Sequence, residues 1–228
     1  MNENEYRQII HEELTRNEAM LRRYVDLLAS YGGKIRLTGP TDPGILWEEH
    51  IVDCAWSLPS LPPTGDVIDV GSGGGLPGLV WAICRPRLSV TLLDSVHKKC
   101  AAMETMAAAL GLANVTVVCA RAEDFAKSRR ESFDLAGARA LAEAGVAAEL
   151  LSPLVRSGGT LLAFKGPRYT EEIALINSWR GLGLLPPTLV AYRIGEKERY
   201  LLAWKKSDPC PKAFPRRSGS AEKDPWWR

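Results

Sequence analysis

The sequence has few of the side chains from which disulfide frameworks and zinc sites are built. Its 228 residues include five cysteines and three histidines. The cysteines are scattered without a Cys-x-x-Cys pair, and His11, His50 and His97 lie far apart. Because disulfide frameworks and zinc sites need paired or clustered ligands, both are disfavoured. We therefore expect no metal site and a reducing, cytoplasmic environment.

Long apolar runs and a strong excess of one charge are also absent. No run approaches the roughly 18 residues of a membrane span, and the polar first residues lack the apolar core of a signal peptide. We therefore expect no membrane partner. The net charge is only +2, so a nucleic-acid partner would have to be recognised by local patches. A composition of 46% hydrophobic and 25% charged residues is typical of a globular protein.

The most informative stretch is 66–78, with the sequence DVIDVGSGGGLPG. Its β-branched residues predict a buried parallel strand. Glycines then occupy every second position from Gly71 to Gly75, which lets the backbone approach a ligand closely. Pro77 suits the first turn of a helix, whose N-terminus presents unpaired N–H groups. The stretch therefore predicts a strand, a ligand-binding loop and a helix.

Two classes of ligand use such a loop. Gly73-x-Gly75-x-x-Gly78 fits the dinucleotide fingerprint of an NAD(P)-dependent oxidoreductase. An acidic residue just before the glycines, here Asp69, is instead typical of S-adenosylmethionine sites. Asp94, at the end of the next predicted strand, can accept both ribose hydroxyls, but NAD sites also use an acid about 20 residues on. Asp94 indicates a nucleoside ligand and leaves both classes open.

Predicted strands and helices alternate after residue 66, which predicts a parallel sheet. The later predicted strands are Ser89–Leu93, Val115–Cys119, Phe133–Ala138, Thr160–Lys165, Leu189–Arg193 and Tyr200–Trp204. The last two bracket a turn and predict an antiparallel hairpin. A dinucleotide dehydrogenase would more often continue into a second βαβ half.

The first 65 residues are predicted to be a helical extension packed on this core. Two helices are expected, separated by a capping box at Thr15–Glu18. Asp42 is a plausible N-cap for a third helix, which carries His50 and Asp53 on one face. Such a histidine is either packed against the carboxylate or directed at the site.

The last segment, 207–228, is rich in Pro, Ser, Lys and Arg and is predicted to be a disordered basic tail. Its Trp226 and Trp227 could stack on bases. A solvated tail without a partner is the alternative. The predicted organisation is thus 1–65, 66–206 and 207–228.

Further short motifs follow one another along the chain. They are Leu37-Thr38, Asp42-Pro43, His50–Asp53, Arg85-Pro86, Leu92–Ser95, Lys98-Lys99, Asn114–Thr116, Arg121–Glu123, Arg139-Ala140 and Lys165-Gly166. With the glycine stretch, they resemble the ribosomal RNA small subunit methyltransferase G family, also called glucose-inhibited division protein B. Arg36 and Cys54 depart from that family's usual Asn and Ser.

The resemblance implies a class I, Rossmann-like α/β methyltransferase fold with a mostly parallel seven-stranded sheet, an antiparallel C-terminal hairpin and an N-terminal helical extension. It implies S-adenosyl-L-methionine as cofactor and transfer to N7 of a guanosine in 16S ribosomal RNA. The partner would be 16S rRNA or the small ribosomal subunit, and we expect a cytoplasmic monomer. A non-catalytic ribosome- or cofactor-binding module stays open, as does the oxidoreductase.

The resemblance also assigns site residues. In related proteins the cofactor is contacted at positions that correspond to Gly71, Leu76, Ala122, Glu123 and Arg139. From the residues themselves we add Gly73 and Gly75 of the loop, Asp94 for the ribose, and the Ala122-Glu123 segment for the adenine. Guanine N7 loses no proton when it attacks, so no general base is required, and no certain catalytic residue is assigned.

Candidates for a catalytic or substrate-binding role are His50, Lys165 and Arg139. Arg36 and Arg168 could join them in holding phosphate or the guanine edge. The structural alternatives are that Arg139 pairs with Asp69, Lys165 ends a strand, and Leu76 belongs to the helix core.

Overall fold

A computed structural model of the chain describes residues 3–32, 35, 37–39 and 41–227. Arg36 lies outside these residues. Seven described strands are β1 (Gly65–Val70), β2 (Leu88–Asp94), β3 (Val115–Cys119), β4 (Phe133–Arg139), β5 (Val155–Lys165), β6 (Thr188–Ile194) and β7 (Lys197–Lys205). They form one sheet in the order β3-β2-β1-β4-β5-β7-β6.

The predicted topology is confirmed. Strands β1 to β5 pair in parallel, whereas β7 runs antiparallel to both β5 and β6. β1 lies inside the sheet between β2 and β4, and its residues 67–70 are all buried. A central parallel strand is covered on both faces, which explains its nearly continuous apolar sequence.

The α-helices are α1 (Glu3–Ser30), α2 (Pro43–Leu46), α3 (Val52–Ala55), α4 (Gly78–Cys84), α5 (His97–Leu110), α6 (Ala122–Ser128), α7 (Ala144–Leu151), α8 (Tyr169–Ala174) and α9 (Ser220–Lys223). A π-helical turn, Trp47–Ile51, joins α2 to α3. One core forms where α1, α4 and α5 pack on the sheet, and a second forms under α6, α7 and the C-terminal segment. None of the described helices is long and apolar enough to cross a membrane.

Helix α1 corrects the expectation of two N-terminal helices. It runs unbroken for 28 residues. The Thr15–Glu18 stretch lies in its middle, where Asn17 Nδ2 donates to Glu13 O, one turn back (2.8 Å). The buried stripe continues through Leu21 and Tyr24. Burial of an unbroken apolar face thus outweighs the local preference for a cap.

The C-terminal segment, residues 207–227, corrects the expectation of a disordered tail. It packs on the face formed by α6 and α7, with Cys210 and Ala221 buried. Its two tryptophans pack against the second core. Composition alone predicted a disordered tail because Pro, Ser, Lys and Arg dominate it, but a few aromatic and charged anchors are enough to hold it.

Candidate active site

The glycine loop lies between β1 and α4, as predicted. Gly71, Gly73 and Gly75 all have positive φ angles, of 74°, 58° and 92°. Residues with a side chain avoid this region, so glycine is required for the path of the loop. The N–H groups of Gly71 and Ser72 both donate to Leu93 O, at 2.8 and 3.1 Å, which ties the loop to the end of β2.

Helix α1 supports the loop from the protein's interior. The buried hydroxyl of Tyr24 donates to Gly74 O at 2.8 Å. A Cβ at Gly75 would lie 2.5 Å from Leu79 Cδ1, so Gly75 faces inward. Of the three predicted loop glycines, Gly71 and Gly73 line a cavity, whereas Gly75 packs beneath the loop.

Asp69 lies fully buried beneath the loop. Its Oδ2 accepts from the N–H of Gly78 at 2.9 Å, where α4 begins. Its Oδ1 has no hydrogen-bond partner among the described residues. Burial disfavours the charged form and raises the pKa of Asp69 to about 7. Since Oδ2 accepts a bond, Oδ1 is the oxygen that can carry the proton.

Asp94 links the glycine loop to the start of α5. Its Oδ2 accepts from Gly73 N and its Oδ1 from Val96 N, both at 2.9 Å. Asp94 therefore satisfies the N–H group of Val96, which precedes α5. A carboxylate oxygen can accept more than one hydrogen bond, so the fixed Asp94 can still accept from ligand hydroxyls.

Two adjoining cavities open beside the loop, with volumes of about 590 and 680 Å³. The first, here called the nucleoside cavity, brings together Gly71, Asp94, Ala122 and Glu123. The second, here called the transfer cavity, brings together Gly71, Gly73, Leu76, His50, Asp53, Arg139 and Lys165. Both are lined by Gly71, Lys99 and Ala140, which places their junction at the end of β1.

Arg139 holds the helical extension against the sheet. Its Nε lies 2.8 Å from Asp53 Oδ2, and its Nη2 donates to Glu49 O at 3.1 Å. The Tyr192 hydroxyl donates to the other oxygen of Asp53 at 2.7 Å. Arg139 therefore pairs with Asp53, and not with Asp69 as the structural alternative had it.

His50 is part of the same cluster. Its Nδ1 lies 2.7 Å from Arg139 Nη2 and must accept, because a guanidinium only donates. Burial and the charge of Arg139 lower the pKa of His50 to about 4. The ring is therefore neutral near pH 7 with its proton on Nε2, and Nε2 has no partner in the described structure. Such a histidine can donate a hydrogen bond, but it is already committed as an acceptor at Nδ1.

Lys165 lines the transfer cavity, but its ammonium group is already paired. It donates to Ala142 O at 2.5 Å and to Glu172 Oε2 at 2.6 Å. The same Glu172 oxygen accepts from Ala144 N at the start of α7 (2.7 Å). Through Glu172, Lys165 thus links β5 to α8 and to the start of α7. Arg168 lies on the surface beside Glu171.

Comparison with known proteins agrees with this geometry. The family model described as "rRNA small subunit methyltransferase G" matches residues 17–179. The Ribosomal RNA small subunit methyltransferase G of Petrotoga mobilis is 37% identical over 212 residues, which cover 90% of this chain and 93% of that protein. The protein of the same name from Moorella thermoacetica is 37% identical over 214 residues, 91% and 89% of the two chains. The chain belongs to the rRNA small subunit methyltransferase G family.

Solved structures agree on the fold. A 16S rRNA (adenine(1408)-N(1))-methyltransferase from Catenulisporales acidiphilia, solved with the cosubstrate SAM, matches with a TM-score of 0.52 at 18% identity, over 71% of this chain and 93% of that one. The fibrillarin of Aeropyrum pernix, solved with S-adenosyl-L-methionine, matches with a TM-score of 0.50 at 16% identity, over 63% and 68%. The chain therefore has a class I methyltransferase fold.

Sequence reasoning missed several residues of the site. Tyr192 reaches Asp53 across 139 positions, so no local pattern could reveal the pair. Lys99 was noted only as part of a motif, yet it lies where the two cavities meet. Ser218 and Gly219, from the C-terminal segment, also line the nucleoside cavity, although the family model ends well before them.

Proposed function

We propose that this protein is an S-adenosylmethionine-dependent methyltransferase that methylates N7 of a guanosine in the 16S rRNA of the small ribosomal subunit. The observation that carries the proposal is the family match over residues 17–179, which spans the glycine loop, Asp94, Glu123 and Arg139. Since small ribosomal subunits are assembled in the bacterial cytoplasm, the proposal implies that the protein acts there. That it acts as a monomer stays a prediction.

The residues of the two cavities fit the cofactor. A Cβ at Gly71 would lie 2.7 Å from Leu141 Cδ1, so a residue with a side chain would not fit where the loop borders both cavities. Asp94 has acceptor capacity left for the ribose hydroxyls, beside Ala122 and Glu123 for the adenine. Asp69 supports the loop from beneath, because its Oδ2 accepts from the N–H of Gly78 at 2.9 Å. When bound, S-adenosylmethionine supplies an electrophilic methyl group.

The transfer cavity has to align the guanine base with the methyl group of the cofactor. Guanine N7 attacks with an exposed lone pair and loses no proton, so the protein needs to hold the base in line with the methyl group, a proximity effect. The Arg139, Asp53 and His50 cluster is suited to this because its members fix one another. The lowered pKa of His50 also fits a reaction that needs no base near pH 7.

A surface of mixed charge, with Glu196 and Glu198 between its cationic residues, continues from the transfer cavity. Arg199 lines that cavity and also a shallower one that includes Arg193 and Lys197 at the β6–β7 turn. Lys197 is paired with Glu49, which leaves the two arginines as the better candidates for phosphate contacts. These arginines support an RNA substrate lying across the hairpin, since arginine binds phosphate through paired hydrogen bonds.

The test is methyl transfer by the purified protein. Small subunits and deproteinised 16S rRNA, both from a strain that lacks this protein, are incubated with methyl-labelled S-adenosylmethionine. We expect label in at least one of the two substrates, and less with Asp94→Ala. Cofactor binding without transfer to either would favour the non-catalytic module, and binding of a nicotinamide dinucleotide instead would favour the oxidoreductase.

A further inference from the structure

The C-terminal segment provides one wall of the nucleoside cavity. Ser218, Gly219, Ala221 and Glu222 line this cavity together with Asp94, Ala122 and Glu123. The family match ends at residue 179, so this wall is not part of the matched region. Its position depends on three anchors.

The first anchor is an ion pair with a buried carboxylate. Glu149 on α7 has a side chain only 1% exposed, and Arg216 binds both of its oxygens, with Nη2–Oε2 at 2.7 Å and Nε–Oε1 at 3.0 Å. A buried carboxylate without a partner is strongly unfavourable. Arg216 is therefore a required counterion, and it holds the segment two residues before the cavity wall begins.

The second anchor is the tryptophan pair at the other end of the segment. Trp226 Nε1 donates to Gly145 O on α7 at 2.9 Å, and its ring packs edge-on against Trp179. Trp227 lies over Gly145 so closely that a Cβ there would overlap its ring. Aromatic rings of this size contribute much of the stabilisation in a packed surface.

The third anchor lies within the cavity itself. The N–H of Gly219, which has a φ of 77°, donates to Glu123 Oε1 at 3.1 Å. Glu123 is buried and is the residue that sequence reasoning assigned to the adenine side. The segment thus fixes Glu123 and leaves its Oε2 for another donor.

We infer that residues 218–222 are part of the cofactor site and contact the adenosine half of S-adenosylmethionine, with α7 and Glu123 as their support. The inference rests on the proposed function, because it requires a nucleoside ligand in this cavity. It gives the tryptophans a structural role, holding the wall in place, rather than base stacking.

The test compares two substitutions of exposed residues in this segment. Ser218→Trp puts an indole into the cavity wall, whereas Lys212→Trp introduces the same side chain in the segment outside the cavity. Binding of S-adenosylhomocysteine and of adenosine is measured by calorimetry, with melting temperatures as a folding control. We expect Ser218→Trp to weaken both by at least about tenfold and Lys212→Trp to stay within about twofold.

A second measurement uses the native chain. Arg217 is exposed, so trypsin can reach the segment next to the wall, and S-adenosylhomocysteine should slow cleavage there. Unchanged affinity in Ser218→Trp, or cleavage that the ligand does not slow, would overturn the inference while the proposed function stands. A wild-type protein that binds neither ligand would overturn the proposed function itself, and with it this inference.

Discussion

The Arg139 cluster allows a sharp test of how the site is held together. Asp53→Asn keeps the size of the side chain but removes its charge. The Asp53 side chain is 3% exposed and that of Arg139 is 17% exposed, so the change leaves a largely buried guanidinium without its counterion. Breaking a buried pair costs roughly 3–5 kcal/mol. Because the Asn oxygen can still accept one bond, we expect a loss of about 2–3 kcal/mol in the free energy of unfolding.

A matched variant separates charge from hydrogen bonding. Tyr192→Phe removes the hydroxyl that donates to Asp53 but keeps the ring stacked on Trp56, whose centroid is 4.4 Å away. We expect it to cost about 1.5–3 kcal/mol, and the double variant to cost clearly less than the sum. For a chain of this size each kcal/mol lowers the melting temperature by roughly 2–4 °C. Additive losses, or a loss below about 0.5 kcal/mol for Asp53→Asn, would refute the argument that the cluster acts as one buried unit.

Three further predictions concern single groups. In the folded chain the pKa of His50 is lowered to about 4. Between pH 6.5 and 4 the unfolded chain therefore takes up a proton that the folded chain does not, and the free energy of unfolding falls as the pH drops through this window. Urea titrations of His50→Gln should lack this pH dependence. Asp69, with its pKa raised to about 7, keeps a proton that the unfolded chain loses above about pH 4, so its contribution to stability falls as the pH rises from 4 to 7. Asp69→Asn should remove that fall. A pH dependence of stability in Asp69→Asn that is the same as in the wild type would contradict the raised pKa of Asp69. Asp94→Ala should weaken S-adenosylmethionine binding by about 1–3 kcal/mol in calorimetry, and unchanged affinity would count against its role at the ribose.

The parts of the fold that could be predicted from the sequence are those with local causes. The buried strand β1, the glycine loop and Asp94 lie within one βα unit and its neighbour, where residue type sets the backbone path. Asp42 caps α2 through Ile45 N at 2.9 Å, as its place before Pro43 predicted. Such features depend on contacts a few residues apart, and a pattern can therefore reveal them.

What could not be predicted depends on contacts between distant segments. Arg139 was a candidate cofactor contact, but its partners Asp53 and His50 lie 86 and 89 positions away. Lys165 was a candidate for substrate binding, but its ammonium group is paired with Glu172. The C-terminal segment was predicted to be disordered because the groups that hold it, Glu149 and Gly145, belong to α7. They lie 67 and 81 positions before their partners Arg216 and Trp226, so no local pattern reveals the contacts.

The most direct test of the central claim is the position of the transferred methyl group. The purified protein is reacted with 16S rRNA or small subunits from a strain that lacks it, and the product is digested and mapped by mass spectrometry. We expect a single 7-methylguanosine. A methyl group on a ribose, an exocyclic amine or N1 of guanine would contradict it, because each of those acceptors must lose a proton and would need the base that His50 is not placed to be.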